Sequence, residues 1–300
     1  MSIAGAQDKL PVLTENGRFF LPAPGTLAPT TDILKPVPPG FEHLDRNEHF
    51  CLCLANCIGL QVAQSSLVAF DGQRALLVAR YDRQRTDTGI QRLHQEDFCQ
   101  ALGFTEKYEE RGGPGFETCA RVLLDPIMGD DGNRIHARDD FIRCAVFNYI
   151  IGNCDAHGKN FSLLYSPSGK AKLAPFYDLV STRAYPDLDQ KYAMVIGKTF
   201  RFDRTAGHSW REFAKTIYIR PEKLLDILDE TAGRIARATE QVINEHTLEH
   251  GPSPVYEKLT AVIQTGLERT AKSAEMLKAS ARSAGTSIQP EEDEESGPSP

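Results

Sequence analysis

Three hundred residues, 41% of them hydrophobic and 25% charged, suffice to bury a sizeable core as one large domain or two joined ones, and they exclude a disordered, collagenous or disulfide-stapled chain. The formal charge of −7 sets 34 Lys and Arg against 41 Asp and Glu, but Glu291-Glu292-Asp293-Glu294-Glu295 accounts for five of it, so the near-neutral remainder has no overall basic field for nucleic acid. Seven irregularly spaced cysteines, no leader-like N-terminus and no run near the roughly 18–20 apolar residues of a membrane span predict a cytoplasmic protein with reduced thiols and no membrane partner.

In chain order, Leu10–Leu13 and Arg18–Leu21 read as strands around Glu15-Asn16-Gly17, where Asn-Gly suits a tight hairpin turn. Thr31–Lys35 is a short strand ended by Pro36, Pro38 and Pro39. Apolar residues at Phe50, Leu54 and Ile58 predict a helix from Leu44 to Leu60, closed by Gly59. Strands Ser66–Phe70 and Arg74–Tyr81 join at Asp71-Gly72. Beyond these, helices are expected at Gln95–Gly103, Phe116–Ile127, Asp139–Gly152, Ser209–Ile217, Pro221–Glu245 and Pro254–Ser280, interrupted by strands Phe161–Tyr165 and Lys172–Pro175. The last 20 residues, rich in Ser, Pro and acid, read as a disordered tail.

The stretch that carries chemistry is Asn153-Cys154-Asp155-Ala156-His157-Gly158-Lys159-Asn160, a polar loop between an apolar helix and a strand. Asp155 and Asn160 have the spacing D-x-x-x-x-N, which in protein kinases sets an Asp beside the attacking hydroxyl and an Asn on magnesium. Asp178 follows Asn160 by 18 residues and fits a second magnesium ligand, a hard carboxylate oxygen. Lys35, closing the strand Asp32-Ile33-Leu34-Lys35, has the pattern of the kinase lysine that meets phosphates, and Glu48 on the next helix is its expected partner. Each has a bland reading alone: a chance spacing, a turn cap, a solvated lysine. The order of lysine strand, glutamate helix, strands, helices, polar loop, hairpin and acidic residue favours a kinase.

With Ser2-Ile3-Ala4-Gly5-Ala6-Gln7-Asp8-Lys9, Gln95-Glu96-Asp97, Gly112-Gly113-Pro114-Gly115, Asp155 to Ser162 and Pro175-Phe176-Tyr177-Asp178, the chain resembles the HipA family from Ser2 to about Leu267. These are serine/threonine kinases that act as toxins in bacterial type II toxin–antitoxin pairs. The resemblance implies an α+β, two-lobed protein-kinase-like fold, with a small strand-rich N-lobe over 1–90, a mostly helical C-lobe over 91–280 and an acidic tail over 281–300. It implies ATP and Mg²⁺, with Asp155 as catalytic base, Asn160 and Asp178 on magnesium, and Lys35 on the phosphates. Ala4, Gly5, Ala6, Gln7, Asp8 and Lys9 would form the phosphate-covering loop, and Ala79, Arg80 and Tyr81 the adenine side. Ala79 stands where family members commonly carry Glu. His157, Gly158, Lys159 and Tyr177 would flank the nucleotide, and Ser2 would be the autophosphorylation site, where added charge disfavours ATP.

The implied substrate is a protein serine, with an aminoacyl-tRNA synthetase as the family's suggested target. The implied partner is a helix-turn-helix antitoxin, through which DNA is reached only indirectly. Family members carry a small N-terminal domain and a strand before the Ser-Ile-Ala-Gly loop, and this chain starts at the loop. A late start site, a decayed gene, or a separate small protein that supplies the missing piece all remain open. A truncated pseudokinase that engages an antitoxin is the alternative to an active enzyme. Cys51, Cys53 and Cys57 invite a zinc reading, but three positions at those helical spacings do not converge and no fourth ligand is near in sequence. A metallohydrolase built on His157 leaves Lys159 and Asn160 unexplained, and a P-loop motif is missing.

Overall fold

The structure is a computed structural model that describes residues 7–23, 25, 29–70 and 72–285. Strand β1 (Leu10–Glu15) turns through Asn16 and Gly17, both at positive φ, into β2 (Arg18–Phe20). After β3 (Asp32–Pro36) come helix α1 (Leu44–Cys57) and strands β4 (Ser65–Phe70) and β5 (Gln73–Ala79). The strands form one antiparallel sheet in the order β2-β1-β3-β5-β4, with Lys35 opposite Leu76. Helix α1 packs on β4 and β5, burying Phe50, Leu54 and Ala55.

A hairpin of β6 (Arg83–Thr86) and β7 (Gly89–Arg92) leads to β8 (His94–Asp97) and the short helix α2 (Phe98–Leu102). Then come α3 (Phe116–Leu123), α4 (Asp131–Ile151), and strands β9 (Ser162–Tyr165) and β10 (Ala171–Leu173), which with β8 form a sheet ordered β10-β9-β8. A hairpin of β11 (Lys191–Ile196) and β12 (Thr199–Arg201) precedes α5 (Gly207–Thr216), α6 (Pro221–His250) and α7 (Pro254–Gly285).

Several expected boundaries move, each for a local reason. The expected helix Gln95–Gly103 is a strand as far as Asp97, because Asp97 caps α2: its carboxylate accepts the Gln100 N–H at 2.8 Å while Gln100 reaches back to the Asp97 N–H. The helix expected at Phe116–Ile127 ends at Leu123, and Asp125 with Pro126 begins a separate turn. Helix α4 begins eight residues before Asp139, at Asp131, where the Asp130 carboxylate accepts the Asn133 N–H. Two further hairpins stand where no strand is expected, a polar one at 83–92 and one at 191–201 whose first strand buries Tyr192, Met194 and Ile196, and α7 runs to Gly285, beyond the expected Ser280. The last 15 residues of the acidic tail lie outside the described residues.

The main core is aromatic. Phe98, Phe116, Phe141, Phe161, Phe213, Trp210 and Tyr149 stack at tilted or edge-to-face angles around the second half of α4, which is buried nearly all round. Gly152 ends α4 at φ 68°, and a Cβ there would press into Arg183 and Val262, so the chain turns sharply into the polar loop. The segment after α1 joins that body: Ala63 N–H donates to the Phe176 carbonyl and Phe176 N–H to Gln61, which brings Asp178 beneath β3. Among the described residues no helix is long and apolar enough to cross a membrane.

Candidate active site

Lys35 projects from β3 with 4% of its side chain exposed, donating to Glu48 Oε1 at 2.6 Å and to Asp178 Oδ1. Glu48 arrives from the first turns of α1. Asp178 sits at φ 53°, a left-handed conformation that a short polar side chain tolerates better than most. Its second oxygen accepts Lys9 Nζ at 2.8 Å and Asn160 Nδ2 at 3.3 Å. Burial alone would raise the Asp178 carboxyl, but the Lys35 and Lys9 ammonium groups outweigh it and hold it well below the usual carboxylate range. Burial would likewise lower Lys35, and the two carboxylates hold it above an ordinary lysine. Glu48, more enclosed, is raised by burial against the pull of Lys35. The proton stays on Lys35, a cation shared by two carboxylates.

The polar loop after α4 is pinned at several points. Asn153 bridges Asn148 on α4 and the Asp155 backbone N–H, and Cys154 N–H donates to Thr182 Oγ1 at 2.8 Å. Asp155 is half-buried and accepts the Tyr108 hydroxyl at 2.7 Å. His157 is buried edge-to-face on the Tyr108 ring, and burial, with Lys107 adding, pushes its imidazole down to about 3, so it is neutral. Gly158 lies beneath Pro114, where a Cβ would meet the proline ring at 2.5 Å and Cys99 Sγ at 3.0 Å. The Gly112–Gly115 loop is thus packed against the polar loop, and Gly113 N–H donates to the Tyr108 carbonyl at 2.9 Å. Lys159 is exposed. Asn160 is buried, and its Oδ1 has no hydrogen-bond partner.

Two hollows flank this cluster. One of about 210 Å³ is lined by Ile33, Val78, Ala79, Arg80, Tyr81 and Tyr177, with Lys35 and Asp178 at its base. Arg80 is turned onto Asp82, at 3.0 and 2.9 Å, and the N–H groups of Ala79 and Arg80 are spent on Gln64 and Thr31. The Tyr177 hydroxyl donates to the Lys159 carbonyl and meets Ser162, which Gln95 also reaches. The other hollow, about 180 Å³, opens beside Asp155 between Tyr108, Arg111, Thr182, Lys191 and Tyr192.

The structure therefore gathers Lys9, Lys35, Glu48, Asp155, Asn160 and Asp178 at one opening, with Ala79, Arg80, Tyr81 and Tyr177 along one wall. Gln7 reaches the Pro36 carbonyl at 3.4 Å, and Asp8 is exposed. Ser2, Ala4, Gly5 and Ala6 lie outside the described residues. Sequence reasoning missed Tyr108: it sits 47 residues before Asp155 in a stretch without a pattern, and only the Gly-rich loop that follows it was a signal.

The family model for the HipA-like C-terminal domain matches residues 1–239. Protein Y4mE of Sinorhizobium fredii is 41% identical over 252 residues, 80% of this chain and 57% of that protein. The serine/threonine-protein kinase toxin HipA of Shewanella oneidensis is 36% identical over 256 residues, 81% of this chain and 57% of the toxin. The chain thus spans a little over half the length of these relatives. Among solved structures, the Shewanella oneidensis HipA, HipB and operator DNA complex aligns with a TM-score of 0.76 at 30% identity, covering 92% of this chain and 65% of that one. The Helicobacter pylori proinflammatory kinase CtkA aligns with a TM-score of 0.58 at 12% identity over 91% of this chain and 97% of that one, a likeness of fold alone.

Proposed function

Because the chain belongs to the HipA-like C-terminal domain family, we propose that it is an ATP- and Mg²⁺-dependent kinase of protein serines. The observation that carries this reading is the convergence of Lys35, Glu48, Asp178, Asn160 and Asp155 at one opening. The fold is read as two kinase lobes, 1–90 and 91–280, with the nucleotide between them.

The donor set suits magnesium. Asn160 Oδ1 is a buried acceptor left without a partner, and the Asp178 carboxylate is a hard anionic oxygen donor beside it, already drawing two ammonium groups. Asn160 and Asp178 would hold the ion, which when bound neutralises charge on the phosphate oxygens. Lys35, oriented by Glu48, binds phosphate oxygens as a fixed cation. Lys9 is the cation able to leave Asp178 and follow the phosphates, since 40% of its side chain is exposed. The apolar wall of Ile33 and Val78 and the rings of Tyr81 and Tyr177 bind a purine. The spent N–H groups of Ala79 and Arg80 leave recognition there to carbonyl oxygens.

Asp155 receives the proton of the substrate hydroxyl. The hydroxyl oxygen then bonds to the γ-phosphorus, the bond to the ADP oxygen breaks, and ADP leaves. Tyr108 holds one Asp155 oxygen, which aims the other, and the hollow bounded by Arg111, Lys191 and Tyr192 receives the peptide that carries the serine. Ser2 is the proposed autophosphorylation site and a helix-turn-helix antitoxin the proposed partner, with DNA reached through it.

The test is Mg²⁺-dependent ATP binding by calorimetry, with phosphate incorporation followed by mass spectrometry. Asp155→Asn should keep ATP affinity within about threefold and lower transfer by about 10²–10⁴-fold, and Asp178→Asn should lose Mg²⁺-dependent binding. A well-folded chain that binds no nucleotide would overturn the kinase reading in favour of a non-catalytic antitoxin-binding module.

A further inference from the structure

Between α1 and α6 lies a second cluster of polar side chains. His49 and Cys53 stand one turn apart on α1, and His246 and His250 one turn apart on α6. His49, Cys53 and His246 each offer a donor atom within 4.8 Å of the others, and Cys53 Sγ is 3.9 Å from both ring nitrogens of His49. The three imidazoles are mutual neighbours, with ring centroids 4.8, 5.5 and 5.7 Å apart. His246 is 5% exposed and its Nδ1 has no hydrogen-bond partner, nor has the buried His250 Nε2, for which the Glu249 carboxylate at 3.8 Å is out of reach. Buried ring nitrogens left unpaired are costly unless they serve another bond.

We propose that His49, Cys53, His246 and His250 form a binding site for a zinc-class divalent cation that fastens α1 to α6. Two i,i+4 pairs on facing helices offer the N₃S donor set that a borderline-soft tetrahedral ion takes: His49, Cys53 and His246 already lie within 4.8 Å of one another, and the neighbouring His250 ring would turn in as the fourth ligand. Sulfur and nitrogen ligands of tetrahedral zinc lie about 3.5 Å apart, so the 3.9 Å separation closes with a small rotation of Cys53. The surrounding shell is built. Ser65 on β4 meets His49 Nδ1 at 2.9 Å, which orients the ring and leaves Nε2 as the donor. Arg46, one turn before His49, donates to the carbonyls of His250, Gly251 and Pro252 and so fixes the end of α6. The partly exposed Cys53 is the entry point. On uptake its thiol, kept protonated by burial, releases its proton to solvent as the metal–sulfur bond forms. Cys51 and Cys57 are not ligands: Cys51 is buried towards Asn47 and Cys57 is exposed a turn further on. His49 directly follows Glu48, so the ion would hold the helix that positions the Lys35 partner.

The experiment is titration of the reduced full-length chain with Co²⁺, read by its visible spectrum, followed by displacement with Zn²⁺. One equivalent should bind with tetrahedral cobalt bands and a thiolate-to-cobalt band. Cys53→Ser should abolish the thiolate band, while His246→Gln and His250→Gln should each weaken affinity by more than about tenfold. Ser65→Ala leaves every ligand in place and should weaken it about tenfold, whereas Cys57→Ser should behave as the native chain. Circular dichroism of the metal-free variants separates lost ligands from lost fold, and the Ser65 and Cys53 variants keep the test decisive if a histidine variant misfolds. No saturable uptake by the native chain, or an unchanged spectrum in folded Cys53→Ser, would overturn the site.

Discussion

Replacing Lys35 by Met tests the buried charge cluster by stability alone, independent of any activity. Lys35 Nζ lies 2.6 Å from Glu48 Oε1, and each side chain is 4% exposed. At an effective dielectric of 20 that separation corresponds to a gross attraction of about 6 kcal/mol, most of which is offset by the cost of removing both ions from water. The intact pair is therefore worth little net, yet removing only the cation orphans a buried carboxylate, at about 3–5 kcal/mol. Lys35→Met should lose about that much at pH 7, and Lys35→Met with Glu48→Met should recover to within about 2 kcal/mol of the native chain. Glu48 also sets a pH signature. Its folded pKa is already raised by burial and rises further without Lys35, so the penalty is present at neutral pH and shrinks as pH falls towards the ordinary glutamate value of 4.5. Urea unfolding followed by the fluorescence of Trp210, the single buried tryptophan, measures all three proteins. A single variant within about 1 kcal/mol of native, or a double variant no more stable than the single, would refute the reasoning.

Asp82 is a second buried carboxylate, held below its ordinary pKa because Arg80 and Arg83 outweigh the effect of burial. Such a group adds stability above its unfolded value of 3.8 and loses it as pH falls through the folded one, so Asp82→Asn should cost about 2–3 kcal/mol at pH 7 in urea unfolding, and the difference should narrow below pH 3.8. Gly158→Ala drives a methyl into the Pro114 ring, and a loss of about 1–3 kcal/mol by thermal unfolding is expected. Tyr108→Phe deletes the 2.7 Å hydrogen bond to Asp155 and should lower kcat for phosphoryl transfer about tenfold at an unchanged KM for ATP, as steady-state kinetics would register.

What the sequence by itself determined lies where short-range physics decides. The Asn16-Gly17 turn, the Lys35 strand, the α1 periodicity and the helices opened by Pro221 and Pro254 all follow from backbone preferences and apolar spacing within a few residues. The candidate site was legible as an ordered list of residue types, Lys35, Glu48, Asp155, Asn160 and Asp178, because a kinase reading requires that order. Polar strands such as Arg83–Thr86, and the exposed first turns of α4, left no alternation or apolar face to read. Tertiary structure alone decided that Tyr108 meets Asp155 and that His49 and Cys53 meet His246 across 193 or more residues of chain, with the His250 ring beside the two histidines. Cys53 read beside Cys51 and Cys57 argues against a metal, and read beside α6 it argues for one. Helix periodicity tells which residues share a face, but which face it packs against depends on burial summed over the whole core.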